Sequence, residues 1–367
     1  DQIGQSGQAP LERLAEANLF LVPLDDEGQW FRYHHLFQQF LLNRLKQQLP
    51  SGEIAALHTQ AAGWFARNGL IEEALYHTLA TDDTTGAVQL VAQHRHGLMN
   101  RDQWQRLGRW LRLFSRQVAE AEPELLVLDA WLKQVRWQTK EMLAVLDRAE
   151  TLLAQPSSSR GADAAAHLQA EIDALRTAGL LFSADLESGL AHGRRTLTNL
   201  PQDRYYVRGY ASMLMGCAYQ MAGDLDAAVA LATDGLLETP RNEMFHTRLL
   251  GMLCMVYWMD ADLENLWLSA TRCLEVSQEL DAVLSLTASR HFQGCVHYHR
   301  NDLVAAEQAF RDVIDRRYAT HALTYAYSVV GLASTYQAQG WPDRAREVVD
   351  SAITFMLETH SPVMLPV

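Results

Sequence analysis

One short pattern recurs four times in the C-terminal half of the chain. Its first copy begins at Gly216, and the corresponding positions are Cys254, Gly294 and Ala333, at intervals of 38, 40 and 39 residues. In each copy a tyrosine or histidine follows three residues later, and an alanine or leucine follows twelve residues later. A fixed interval of this length indicates an array of repeated supersecondary units, each of which buries its apolar stripe against the next.

The offsets within each copy are typical of a tetratricopeptide helix pair, with a turn at Gly223 and a closing Pro240 in the first copy. Small residues such as Gly216 and Ala228 are expected where the two antiparallel helices cross. Weaker copies upstream centre on Gly189, Trp137, Arg101 and Gly69. The sequence therefore predicts an all-α fold of about eight helix pairs, a right-handed superhelical solenoid of tetratricopeptide-like units.

A different pattern precedes the repeats. The segment "LFLVPL" (19–24) is apolar and extended, "DDEGQ" (25–29) has turn composition, and "WFRYH" (30–34) alternates as a half-buried strand does. A helix is expected before this hairpin, from about Pro10, and another after it, from His34 to about Leu49. Helix, two-stranded wing and helix form the end of a winged-helix module, so we expect that module at 1–50 and the repeats at 51–367.

The segment "LERLAEANLFLVPLDDEGQWFRYHHLFQQFLLNRL" (11–45) resembles the junction of MalT-like, LuxR-type large ATP-binding transcriptional regulators, except that Phe31 stands where that family often has tyrosine. The resemblance implies a winged-helix arm that leads into a helical sensor domain of a cytoplasmic, ATP-dependent activator. It implies as partners a small-molecule inducer, the regulator's own ATPase domain, other copies of the regulator and an inhibitory protein. Inducer binding would control oligomerisation.

Two parts of that family are missing from the sequence. No GxxxxGK[ST] segment is present to hold nucleotide phosphates, and no helix-turn-helix segment follows the repeats. We therefore expect no cofactor in these residues, with ATP bound by an ATPase domain outside them, and no direct contact with DNA. A net charge of −13 also disfavours broad binding to DNA or to anionic membranes, and the first residues look like a cut inside a longer protein.

Motifs for catalysis or metal binding are lacking as well. The densest histidines are His34 with His35, His94 with His96, and His297 with His299, and none has HExxH or CxxC spacing. They are interpreted as packing or rim residues. The four cysteines favour reduced thiols, and no apolar run is long enough for a transmembrane helix. The chain is therefore not expected to be an enzyme.

In tetratricopeptide arrays the first helix of each unit lines a groove. Transferring those positions to this chain gives a candidate ligand site of aromatic and polar residues, which are Tyr210, Gln220, Arg248, Trp258, His291 and Tyr298. Aromatic rings would stack on a small polar ligand, and the polar groups would orient it. Two alternatives stay open: these side chains only pack inside the array, or the array is a scaffold that binds proteins or peptides.

A second surface is less specific. The residues Arg106, Arg109, Arg112 and Arg116 would share one face of a single helix, opposite Leu107, Trp110, Leu111 and Phe114. One interpretation is a docking surface for an acidic partner or a phosphate. A solvated face is the preferred one.

Overall fold

The computed structural model describes residues 20–23, 31–155, 161–182, 185–238 and 244–359. Within these ranges the chain forms 18 helices and a single two-stranded sheet. Two compact units divide the chain at Thr84. The domain boundary after residue 50, drawn from the sequence, stays a prediction.

The first unit begins with the predicted hairpin. Strands β1 (Leu21–Pro23) and β2 (Phe31–Tyr33) pair antiparallel, with Leu21 opposite Tyr33. Helix α1 (His35–Gln48) follows at once. Its Phe37 ring stacks on Phe20 at 5.0 Å between centroids and meets Tyr33 edge-on at 5.7 Å. The hairpin-then-helix prediction is confirmed. The turn at 25–29 and the helix expected from Pro10 lie outside the described residues.

The first helix pair completes this unit. Helices α2 (Ser51–Arg67) and α3 (Ile71–Leu79) join at Gly69, whose φ of 74° is the left-handed conformation that glycine adopts without strain. Ala74 and Leu75 of α3 are fully buried. The weak copy predicted at Gly69 is thus a helix pair.

The second unit contains the remaining helices. They are α4 (Thr84–Met99), α5 (Trp104–Arg112), α6 (Arg116–Ala119), α7 (Pro123–Val135), α8 (Thr139–Leu153), α9 (Ala162–Phe182), α10 (Leu186–Asn199), α11 (Tyr205–Met221), α12 (Leu225–Glu238), α13 (Met244–Met259), α14 (Leu263–Glu279), α15 (Val283–His299), α16 (Leu303–Ile314), α17 (Ala322–Ala338) and α18 (Pro342–Glu358). Apart from the four-residue α6, they follow one another as seven pairs. With α2 and α3, the described residues hold the eight pairs that the sequence predicts. No described helix is long and apolar enough to cross a bilayer.

The turn inside each C-terminal pair explains the repeated pattern. Gly223, Ala261, Asn301 and Gly340 all have positive φ, at the same offset of every copy. In the second copy the Asp262 N–H donates to the Tyr257 carbonyl at 3.0 Å, which closes the end of α13. The Asp262 carboxylate then accepts a hydrogen bond from the Asn265 N–H and caps α14. The pattern therefore encodes one helix end and the next helix start.

The small residues act differently from the prediction at one position. A Cβ on Gly216 would overlap Met252, which belongs to the first helix of the next pair rather than to the partner helix α12. Gly216 thus sets the spacing between neighbouring pairs. Gly294 does face its own partner helix, since a Cβ there would lie 2.7 Å from Cε1 of Phe310. Glycine therefore allows helices to approach closely both within a pair and between neighbouring pairs.

The expectation that four arginines share one helix is wrong. Helix α5 ends at Arg112, and Arg116 begins the separate short helix α6, which Ser115 caps. The apolar side is as predicted, because Leu107, Trp110 and Phe114 are buried and Leu111 is half-buried. The exposed Arg116 pairs with Glu120 at 2.7 Å. The choice between a docking surface and a solvated face stays a prediction.

Candidate functional site

The first helices of the last four pairs, α11, α13, α15 and α17, pack side by side in sequence order. They leave partly exposed apolar side chains along one face, which we call the first-helix surface and define by Gly251, Trp258, Tyr327 and Val330. Trp258 is 37% exposed, and Tyr327 and Val330 are each 44% exposed. Around Gly251 the space is open, because a Cβ there would meet nothing within 4 Å.

Rings from three successive pairs meet on this surface. The Tyr327 ring of α17 lies 6.2 Å from Trp258 of α13 and 6.2 Å from His291 of α15, measured between centroids. Phe292 lies beneath them, 6.5 Å from Trp258, and is itself buried. The arrangement is a partly exposed aromatic platform that can stack on the flat or apolar face of a small molecule.

His291 is an uncharged member of this platform. Its Nδ1 lies 3.0 Å from Ser328 Oγ, and its Nε2 lies 3.6 Å from Cys295 Sγ. Burial lowers the pKa of His291 to about 4, so the ring is neutral at pH 7. Both ring nitrogens therefore face groups of the protein, and the neutral ring does not attract an anion.

The charge of Arg248 is already balanced inside the protein. Its guanidinium forms an ion pair with Asp102 of the α4–α5 turn, lies 3.3 Å from Ser285 Oγ and stands over the Tyr206 ring at 4.8 Å. The second Asp102 oxygen accepts a hydrogen bond from the Leu284 N–H at 3.3 Å. A carboxylate of the chain therefore occupies the place where an anionic group of a ligand would bind Arg248.

The remaining predicted site residues do not join the platform. Tyr210 is buried, with its ring edge-on to Trp131 at 5.3 Å, and burial raises the pKa of its hydroxyl. Tyr298 is half-buried and packs against the cluster around Phe310, and Gln220 is half-buried near the end of α11. Of the six residues, the structure brings Trp258 and His291 together, through Tyr327. Ligand binding by any of them stays a prediction.

A buried ionic cluster, which the sequence did not indicate, lies elsewhere in this unit. The Arg95 guanidinium donates to Glu171 at 2.8 Å, His96 Nε2 lies 3.2 Å from the same carboxylate, and Trp131 Nε1 donates to it at 2.9 Å. The neighbouring Arg95 guanidinium and the hydrogen bond with His96 hold the pKa of Glu171 below its usual range despite burial. Glu171 thus ties α9 to α4 and α7. The interpretation of His96 as a packing residue fits this position.

Neither metal nor disulfide chemistry is indicated in the described part of the chain. No group of three or more histidine, cysteine, aspartate or glutamate side chains that could hold a metal ion occurs there. All four cysteines are free thiols, and burial raises the pKa of each.

Comparison with known proteins supports the resemblance seen in the sequence. Residues 3–53 match the MalT winged helix domain family. The chain is 28% identical over 277 residues to the HTH-type transcriptional regulator MalT of Cronobacter sakazakii, which aligns 75% of this chain and 30% of the regulator. It is 30% identical over 249 residues to the MalT regulator of Serratia proteamaculans, which aligns 68% of this chain and 27% of that protein.

A solved structure shows the same fold. A signal transduction ATPase with numerous domains and a tetratricopeptide repeat sensor, from Pyrococcus horikoshii, matches with a TM-score of 0.52 at 12% identity, over 95% of this chain and 59% of that one. The matches confirm the similarity to MalT-like regulators, with a winged-helix segment followed by tetratricopeptide-like repeats, and they support a regulatory sensor domain. The chain spans less than a third of the two MalT regulators.

Proposed function

We propose that this chain is the effector-sensing part of an ATP-dependent transcriptional activator, and that a small-molecule inducer binds at its first-helix surface. The similarity to MalT regulators supports the regulatory role. The observation that carries the ligand site is the aromatic platform of the partly exposed Trp258 and Tyr327 rings with the buried His291, one ring from each of three successive helix pairs.

The chemistry of this surface favours an uncharged ligand. The His291 ring is neutral at pH 7, and the Arg248 guanidinium is paired with Asp102. The exposed Trp258 and Tyr327 rings supply contact area at little entropic cost. A neutral molecule with an apolar face and hydroxyl or amide groups fits this description better than an organic acid does.

The position of the platform gives the ligand a way to act. Trp258 belongs to α13 and Tyr327 to α17, and His291 of α15 packs between these helices. A ligand that touches Trp258 and Tyr327 together therefore binds better to the arrangement of pairs that brings these two rings close. Differential affinity of this kind shifts the equilibrium between arrangements. In the proposed function the favoured arrangement is the one that oligomerises.

The test is Trp258→Ala in the 367-residue chain. Compounds that raise the melting temperature are first identified from a panel of neutral metabolites, and their affinity is then measured by calorimetry. Loss of an aromatic contact should weaken binding by about 1–3 kcal/mol. Stability to urea should change little, since Trp258 is 37% exposed.

A matched control is Trp341→Ala. Trp341 is 42% exposed and lies at the start of α18, away from the platform, so binding should be unaffected. If Trp258→Ala leaves affinity unchanged and costs roughly 3–5 kcal/mol of stability, Trp258 is a packing residue and the proposed site is wrong.

A protein-binding scaffold is the second candidate, because the same surface is open rather than enclosed. Tyr327 and Val330 are uncovered apolar side chains on one helix, and such strips also suit a peptide. This alternative would be favoured if no compound of the metabolite panel binds the chain, and if a peptide binds it and loses affinity when Tyr327 is replaced.

A further inference from the structure

A cavity of about 240 Å³ lies elsewhere in the second unit, between its first and last helix pairs. Trp104, Leu132 and Tyr325 are among its walls, from α5, α7 and α17, and Met356 of α18 completes them. All four of these side chains are buried. The space is far larger than one water molecule needs, and smaller than the pockets of roughly 300–1,000 Å³ that hold drug-sized ligands.

The mouth of this cavity differs from its walls. Arg136, at the end of α7, and Arg317 and Tyr318, before α17, line it and are exposed to solvent. The Arg317 guanidinium stands over the Phe355 ring at 5.2 Å and over the Tyr318 ring at 5.3 Å. The apolar interior of the cavity is therefore bordered at its mouth by the guanidinium groups of Arg136 and Arg317.

Neither guanidinium is neutralised by the described residues, as no carboxylate of that part of the chain forms an ion pair with Arg136 or Arg317. This contrasts with Arg248, Arg95 and Arg176, each of which has a carboxylate partner. In a chain with a net charge of −13, two unpaired arginines at one opening are an attractive place for an anion from solution.

We propose that this cavity binds a small organic anion with one apolar ring. The ring would lie against Trp104, Leu132 and Tyr325, and the anionic group would bind Arg136 and Arg317 at the mouth. Such a ligand touches helices from both ends of the second unit, so it would hold the first and last pairs together. The proposal is independent of the first-helix surface, for which a neutral ligand is proposed.

Phenylacetate and its neutral isostere phenylacetamide test the charge requirement, with benzoate and indoleacetate as further anions of different ring size. Binding to the 367-residue chain is measured by calorimetry. The best-fitting carboxylate should bind about tenfold more tightly than its amide, the factor of one added charge-assisted contact. Arg317→Met and Arg136→Met, which keep side-chain length at exposed positions, should each weaken the carboxylate about fivefold or more.

Arg346→Met is the matched control, because Arg346 is an exposed arginine of α18 outside the cavity lining, and it should bind the carboxylate normally. Equal affinity for carboxylate and amide overturns the proposal, as does normal binding by both cavity variants. So does the absence of binding by all three carboxylates at millimolar concentration. Carboxylate binding that is lost in Trp258→Ala but not in Arg317→Met would place the anion on the first-helix surface, and would overturn this inference while leaving a ligand site there.

Discussion

The ion pair between Asp102 and Arg248 joins the α4–α5 turn to α13, across 146 positions of sequence. Asp102→Ala removes the carboxylate and leaves the guanidinium, whose side chain is only 14% exposed, with Ser285 and the Tyr206 ring as its remaining partners. It also removes the acceptor of the Leu284 N–H. Breaking a buried pair by truncating one member costs about 3–5 kcal/mol, and we expect a loss of that size.

Urea unfolding followed by far-UV circular dichroism measures the loss, and hydrogen exchange locates it. Protection should fall in α13 and α15, which contribute Arg248 and Leu284, before it falls elsewhere. The double variant Asp102→Ala with Arg248→Met should lose about 0.5–3 kcal/mol less unfolding free energy than the two single variants together, because the second change removes the buried guanidinium that the first leaves unpaired.

Arg116→Ala is the control for this prediction. It breaks an ion pair with Glu120 in which the arginine side chain is 91% exposed, and stability should not change measurably. The reasoning is refuted if Asp102→Ala costs less than about 1 kcal/mol, or if the two changes at Asp102 and Arg248 are additive.

Three further predictions concern acid stability, packing and nucleotide chemistry. Burial lowers the pKa of His96 and of His291 to about 4, below the ordinary 6.5. Between pH 6.5 and 4 the unfolded chain therefore binds protons that the folded chain does not, and each histidine should remove up to about 3 kcal/mol of stability as pH falls through that range. The melting temperature of His291→Gln should depend less on pH than that of the unaltered chain, and an identical pH dependence would contradict this. Gly331→Ala should lower the free energy of unfolding in urea by about 1–3 kcal/mol, because its Cβ would overlap the Phe310 ring. Gly251→Ala, with open space around the new Cβ, should leave this free energy unchanged or raise it, and equal effects of the two substitutions would refute the packing argument. The purified chain should not hydrolyse ATP, since its sequence has no phosphate-binding loop, and stoichiometric turnover in a phosphate-release assay would disprove this.

The repeat architecture could be predicted because its determinants are local. In the third copy the left-handed turn at Asn301, the capping Asp302 and the fully buried Ala306 lie within six residues of one another. Their recurrence at a nearly constant interval shows the periodicity even where single positions vary. The same locality explains why the pairs centred on Trp137 and Arg101 were found from weaker copies.

The candidate site was predicted less completely, because its state depends on contacts between distant residues. The offsets of the repeat correctly placed Trp258 and His291 on neighbouring first helices. They could not show that Asp102 neutralises Arg248, or that Tyr210 is covered by Trp131 of a preceding pair. The buried ion pair of Glu171 could not be predicted from the sequence either, because its partner Arg95 is 76 residues away.

These long-range contacts change what the second unit can do as a sensor. In a simple repeat array each pair touches only its neighbours, so a ligand at one pair is felt mainly by the next. Here Asp102 binds Arg248, and Gln134 Nε2 lies 3.2 Å from Nε2 of His321, 187 residues away in sequence. In the proposed function, a shift among α13, α15 and α17 on ligand binding would act directly on α7 and on the α4–α5 turn through these contacts. Coupling between distant pairs then needs no relay along the array, and Asp102→Ala should weaken it while leaving the aromatic platform intact.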